Sequence, residues 1–167
     1  MQVVIDTVCI HHLLCSLKLS KISSKKDYYE TSLDRPLKEG RCTLAVDEAG
    51  RLIDEWSRTC GEEHIKVLIT QWEGFAALVL INPISKIPHS ISRRLSFMSS
   101  IDRLVLRIGM ATSDKIVVSD DSHFWDPACP GKRGDPNACI AKLCYERLSI
   151  TVLLLETFLN KLERINC

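Results

Sequence analysis

Ser99-Ser100-Ile101-Asp102-Arg103-Leu104-Val105-Leu106-Arg107-Ile108-Gly109-Met110-Ala111-Thr112-Ser113-Asp114-Lys115-Ile116-Val117-Val118-Ser119-Asp120-Asp121 joins two kinds of pattern end to end. Ser99 and Ser100 are helix N-cap residue types, and Asp102 falls in the first turn, where the helix dipole favours a carboxylate. Leu104, Val105, Ile108 and Met110 then form an apolar stripe at helical spacing. After a short turn, Ile116-Val117-Val118-Ser119 reads as a strand that closes on Asp120 and Asp121. A helix opening on one acid, followed by a strand ending on another, brings the two carboxylates to the same end of the fold.

The same alternation extends in both directions. Residues 2–6 read as a short buried strand ending on Asp6. Val8, Ile10, Leu13, Leu14 and Leu17 give residues 7–19 a helical face. Residues 18–40, rich in Ser and Lys and broken by Pro36 and Gly40, read as a surface loop or a helix with a mobile end. Residues 42–46 are the second strand, Asp47-Glu48-Ala49-Gly50 a turn, and 51–59 a helix with Leu52, Ile53 and Trp56 inward. Residues 62–81 read as a longer apolar helix, although Val67-Leu68-Ile69 also fits a strand. Residues 82–94 hold Pro83 and Pro88 and read as a surface connection with room for one helical turn. Residues 121–137 are a loop, 138–146 a short helix, 150–155 a last buried strand and 156–165 a closing helix. Strands alternating with helices predict one α/β domain over residues 1–167, a three-layer α/β/α sandwich with a mainly parallel central sheet.

At 167 residues the chain is long enough to bury a full core. Hydrophobic residues make up 46% and charged residues 26%, as in a globular soluble protein. The net charge of +1 excludes a global basic field, so nucleic-acid binding would rest on local patches. Arg93 and Arg94, and Lys18, Lys21, Lys25 and Lys26, are the basic clusters, read either as solvated loop charge or as phosphate contacts. No apolar run approaches the ~18 residues of a membrane span, and no leader pattern opens the chain. A cytoplasmic protein with no membrane partner is expected. The eight cysteines are then reduced core residues, because no Cys-x-x-Cys pair supports zinc and Cys129, Cys139 and Cys144 are loosely spaced.

In a parallel sheet the carboxyl ends of the strands converge on one crevice. Asp6, Asp47, Glu55, Asp102 and Asp121 each stand where a strand ends or a helix begins. Carboxylates gathered with no basic residue among them repel one another unless a divalent cation neutralises them. The expectation is a Mg²⁺ or Mn²⁺ site, and phosphodiester hydrolysis is a chemistry that commonly uses one.

On these residues the chain resembles the PIN-domain nucleases. Ile5-Asp6-Thr7, the helix-opening Asp102 and Val118-Ser119-Asp120-Asp121-Ser122-His123-Phe124 look like that family's first, third and fourth acidic motifs. The segment from Asp47 to Trp56 looks like the second, with Asp47, Glu48 and Glu55 competing; Glu55 is favoured, with Asp47 in support. The resemblance implies a metal-dependent endoribonuclease with Asp6, Glu55, Asp102 and Asp121 as catalytic residues and these four plus Asp47 as metal ligands. It implies an RNA substrate, with DNA left open, and the setting of a toxin or defence effector with a protein inhibitor or partner. His123 departs from the pattern, since a further acid often stands there. The loop at 127–136 is longer than a minimal member needs.

That departure lends weight to a second reading, a non-catalytic PIN-like module that binds RNA or protein. A haloacid-dehalogenase-like phosphatase would need an acid where Val8 stands, and no Gly-rich elbow precedes a Ser or Cys nucleophile. His11 and His12, adjacent on a helix, point about 100° apart and read as ordinary surface or core residues.

Overall fold

Val3, Val4 and Ile5 are completely buried, as befits a parallel strand covered on both faces. They belong to β1 (Gln2–Ile5), the middle of a five-stranded sheet in a computed structural model that describes residues 1–19, 31–84, 86–125 and 139–164. The backbone alone is described for residues 17–19 and 139. Lys21, Lys25, Lys26, Cys129 and the 127–136 loop, all singled out from the sequence, lie outside the described residues, as do the side chains of Lys18 and Cys139.

The elements follow in the order β1, α1 (Thr7–Leu19), α2 (Asp34–Lys38), β2 (Thr43–Asp47), α3 (Arg51–Cys60), α4 (Glu62–Gly74), β3 (Leu78–Ile81), α5 (His89–Ser92), α6 (Ser100–Ala111), β4 (Ile116–Val118), α7 (Cys139–Leu148), β5 (Thr151–Leu153) and α8 (Leu155–Arg164). The strands lie in the order β3-β2-β1-β4-β5 and every pairing is parallel, with Val3 against both Leu44 and Ile116 and Ile5 against Val118. Helices cover both faces, giving the expected three-layer α/β/α sandwich. From β1 the chain moves outward through β2 and β3, then returns to place β4 and β5 on the other side. The strand order therefore reverses between β1 and β4, and a crevice opens at their carboxyl ends.

Gly109 lets α6 press onto this point. A Cβ at Gly109 would stand 2.7 Å from Val117 Cγ2 and 3.5 Å from Val4 Cγ1, so the helix approaches β1 and β4 only because position 109 has no side chain. On another part of the core, Trp56 of α3 meets Trp72 of α4 edge-on, with ring centroids 6.4 Å apart. No helix among the described residues is long and apolar enough to cross a membrane.

Two expectations are corrected. Residues 62–81 are not one helix: α4 stops at Gly74, Ala76 takes φ 53, and Leu78-Val79-Leu80-Ile81 pairs with β2 as an edge strand. Val67-Leu68-Ile69 lies inside α4. Within residues 18–40, the described part from Thr31 onward is not a surface loop: it holds α2, and Thr31, Leu33, Asp34, Pro36 and Leu37 are buried while Ser32, Arg35 and residues 38–40 stay exposed. Asp34 is buried with them and accepts hydrogen bonds from Trp72 Nε1, at 2.7 Å, and from the Thr31 N–H.

Candidate metal centre

Asp6 follows the last residue of β1, and its backbone N–H continues the sheet by donating to Val118 O at 2.9 Å. Its carbonyl accepts the N–H of Cys9 and Ile10, so Asp6 also opens α1. The carboxylate is pinned at both oxygens. Oδ1 accepts the Thr7 N–H and Oδ2 accepts Ser119 Oγ–H, each at 2.8 Å.

Ser119 is used on every side. Its N–H donates to Leu153 O at 2.9 Å, its carbonyl accepts Trp125 Nε1–H at 2.9 Å, and its Oγ accepts the Asp121 N–H at 3.1 Å. Beyond it the chain turns, and the buried Phe124 and Trp125 anchor that turn. Asp121 Oδ1 accepts the His123 N–H at 2.8 Å, a side-chain turn that folds the imidazole back toward Asp121.

Asp102 arrives from the opposite side. It is the third residue of α6 and forms a reciprocal capping box with Ser99: Ser99 Oγ accepts the Asp102 N–H at 3.0 Å, and Asp102 Oδ2 accepts the Ser99 N–H at 2.9 Å. The same Oδ2 lies 3.1 Å from His123 Nδ1, which is also 3.6 Å from Asp121 Oδ1. Asp102, Asp121 and His123 thus offer three ligand atoms all within 4.8 Å of one another. Ligands at 2.0–2.2 Å from one small cation would lie about 3–4 Å apart, so this grouping needs little adjustment to hold one. The donor set fits a divalent ion, with two hard carboxylates and one imidazole.

The electrostatics agree. Burial pushes the Asp6 carboxyl up to about 6, and the charges of Asp102 and Asp121 push it the same way, against the hydrogen bonds from Ser119 and Thr7. Asp6 therefore feels the charges of Asp102, from the start of α6, and of Asp121, from beyond the end of β4.

Asp47 and Glu55 are engaged elsewhere. Asp47 is completely buried at the end of β2. Its Oδ1 accepts the Leu52 N–H at 2.9 Å, and its Oδ2 accepts the Arg51 N–H at 3.3 Å and Arg51 Nε–H at 3.1 Å, which closes the N-terminus of α3. Glu55 pairs with Arg58 at 2.5 Å and accepts Thr59 Oγ1–H at 3.5 Å, both partners on its own helix.

Asp120 faces away from Asp121. Its Oδ1 accepts the Leu155 N–H at the start of α8, and its Oδ2 lies 2.8 Å from His12 Nδ1, a pairing that the sequence pattern did not suggest. A cavity of about 690 Å³ opens beside His12 and Asp120, but none of Asp6, Asp102, Asp121 and His123 lines it. The three-ligand group sits at an open rim, with 42% of the His123 side chain exposed. His123 is the member of this group that the acid pattern passed over; the signal for it was the Asp-Ser-His spacing, which suits a side-chain turn. No family model, curated protein or solved structure matches the chain.

Proposed function

We propose that the protein is a metal-dependent phosphodiester hydrolase that cuts RNA internally, an endoribonuclease of the PIN type using Mg²⁺ or Mn²⁺. The observation that carries this reading is the gathering of Asp102, Asp121 and His123 donor atoms within 4.8 Å, beside the buried Asp6 at the switch point of a parallel sheet. A divalent ion bound there would supply Lewis-acid stabilisation of charge at phosphorus and a nucleophilic water at neutral pH. Asp102, Asp121 and His123 would hold it, and Asp6, oriented by Ser119 and Thr7, would add the charge that draws it in. Asp47 and Glu55 are left out of this set because α3 uses their carboxylates. The open rim suits a polymer better than an enclosed small molecule. Cys42 and Cys144 are buried thiols pushed up to about 11 and about 12 by desolvation, so they pack as neutral core residues and take no part in the chemistry.

A second reading rests on one contact. His123 Nδ1 lies 3.1 Å from Asp102 Oδ2, and an imidazole N–H donated there would itself satisfy the carboxylate without an ion, as in a non-catalytic RNA- or protein-binding module.

Calorimetric titration with Mn²⁺, paired with cleavage assays on single-stranded RNA and DNA in Mg²⁺, Mn²⁺ and EDTA, separates the two. The hydrolase reading expects one Mn²⁺ site and metal-dependent cleavage, both lost in Asp121→Asn. Nucleic-acid binding without cleavage in either metal favours the second reading. Absence of Mn²⁺ binding overturns the metal centre itself.

A further inference from the structure

Phe97 stands 46% exposed at the edge of the metal group, with its ring edge-on to His123 at a centroid distance of 6.0 Å. A single exposed large hydrophobic residue is ordinary on a protein surface, but the turn that carries this one is fixed on three sides. Leu95 and Met98 flank Phe97 and are buried at 0% and 2%. The Arg103 guanidinium then clamps the turn from α6: Nε–H donates to Met98 O at 3.1 Å, and an Nη2–H group reaches Met98 O at 2.9 Å and Ser96 O at 3.0 Å. The backbone on both sides of Phe97 is held while its ring is turned outward.

On its inner side the ring meets His123, which lies against Asp102 and Asp121, whereas the chain leading up to Phe97 is basic. No Asp or Glu occurs between Glu73 and Asp102, and that stretch carries Lys86, His89, Arg93 and Arg94, all exposed. A rigid exposed aromatic, with two exposed arginines three and four residues before it in the chain, is the chemistry that binds single-stranded nucleic acid: each base has a π-face for the ring, and each phosphate a charge for the arginines. A duplex would keep its bases stacked on one another and gain nothing from the ring. The protein as a whole is nearly neutral, so this face is a local device and not part of a general basic field.

We infer that Phe97 is a base-stacking platform for single-stranded nucleic acid at the rim of the metal centre, with Arg93 and Arg94 contacting the adjoining phosphates. The inference deepens the hydrolase reading by naming the form of the substrate, and it rests on that reading for the position of the scissile bond.

The test uses the full chain and single-stranded oligonucleotides, one ribo and one deoxyribo, each carrying 2-aminopurine, in saturating Ca²⁺ in place of Mg²⁺. Binding should quench the 2-aminopurine. Phe97→Ala should abolish the quench and weaken binding about ten-fold or more, whereas Phe97→Trp should preserve both. Arg93→Ala with Arg94→Ala should weaken binding and flatten its salt dependence while the quench persists. Preference for the ribo strand would name RNA as the ligand and equal binding would name both polymers; either supports the platform.

Wild-type affinity and quench in Phe97→Ala overturn the inference, as does tighter binding of the matching duplex. An equal loss of Mn²⁺ affinity in Phe97→Ala also overturns it, because the ring would then only steady His123. Stacking without cleavage in any metal keeps the platform and removes the hydrolase. Cleavage that ignores Phe97→Ala does the reverse.

Discussion

Ser119 Oγ donates to Asp6 Oδ2 at 2.8 Å, so the carboxyl ends of β1 and β4 share a hydrogen bond at the point where the strand order reverses. The same Oγ accepts the Asp121 N–H. One hydroxyl therefore fixes the buried carboxylate of Asp6 and the backbone of the half-buried Asp121. A site built this way has its geometry before any ion arrives, and its main cost without an ion is the burial of the Asp6 charge, to which the charges of Asp102 and Asp121 add.

That cost should be visible as a pH effect on the metal-free protein. Asp6 binds its proton more tightly folded, at about 6, than at its ordinary 3.8 in the unfolded chain. Between those values the folded state holds more proton, so this contribution to stability is full below about pH 4 and is lost as pH rises through about 6. A shift of about two units corresponds to roughly 3 kcal/mol, of which Asn recovers part because it donates where Ser119 also donates. In EDTA near pH 7.5, Asp6→Asn should melt at or above the wild-type temperature, and its stability should fall less with rising pH. Metal-dependent cleavage should be abolished. Scanning calorimetry across this pH range checks the first part; a lower melting point for Asp6→Asn at the alkaline end would mark Asp6 as an indispensable acceptor.

The imidazole in the donor set should tune the choice of ion. Nitrogen ligands favour Mn²⁺ over Mg²⁺, whereas an all-carboxylate set suits Mg²⁺. Wild-type protein should bind Mn²⁺ more tightly than Mg²⁺, and His123→Asp should narrow or reverse that preference. Asp102→Asn and Asp121→Asn should each weaken both ions by about ten-fold or more. Competitive titration measures this, and an unchanged Mn²⁺/Mg²⁺ ratio in His123→Asp would take His123 out of the ligand set.

Asp47 should behave as a helix cap. Replacing it with Ala leaves the Arg51 and Leu52 N–H groups without their acceptor in a buried position, at a cost of about 1–2 kcal/mol. Mn²⁺ affinity should stay within about two-fold of wild type, since a cap acts on stability and not on the ligand set. Urea unfolding beside metal titration separates the roles; a large loss of affinity at unchanged stability would return Asp47 to the centre.

Four of the five strands could be read directly because β1, β2, β4 and β5 are apolar runs bounded by polar residues or acids. β3 escaped because Leu78-Val79-Leu80-Ile81 continues an apolar helix with no Pro or Asn between them. The break is made by Ala76 in the left-handed region and by the unpaired edge of β2, and the second of these is a tertiary fact. Asp102 was readable through its Ser99 cap, a local relationship. The division of labour between Asp120 and Asp121 was not, because it depends on α1 and α8 supplying His12 and the Leu155 N–H from distant parts of the chain.

Gly109 gives the sharpest test of how the sheet positions the proposed metal ligands. Alanine is the better helix residue by about 1 kcal/mol, so a solvent-facing Gly→Ala in α6 would stabilise. At this position the new Cβ would meet Val117 Cγ2 at 2.7 Å, and Val117 is fully buried on β4 between β1 and β5. A β-branched side chain held that way cannot swing aside, so α6 must lift from the sheet, at a cost of about 1–3 kcal/mol. Asp102 lies seven residues, or about 10 Å, back along the same rigid helix. Lifting α6 should move it relative to Asp121 and lower Mn²⁺ affinity together with stability. The double variant Gly109→Ala/Val117→Ala should recover part of both, a favourable coupling that a double-mutant cycle in urea and in Mn²⁺ titration would read. Gly109→Ala with unchanged stability and Mn²⁺ affinity would show that α6 does not rest on β4 at this contact.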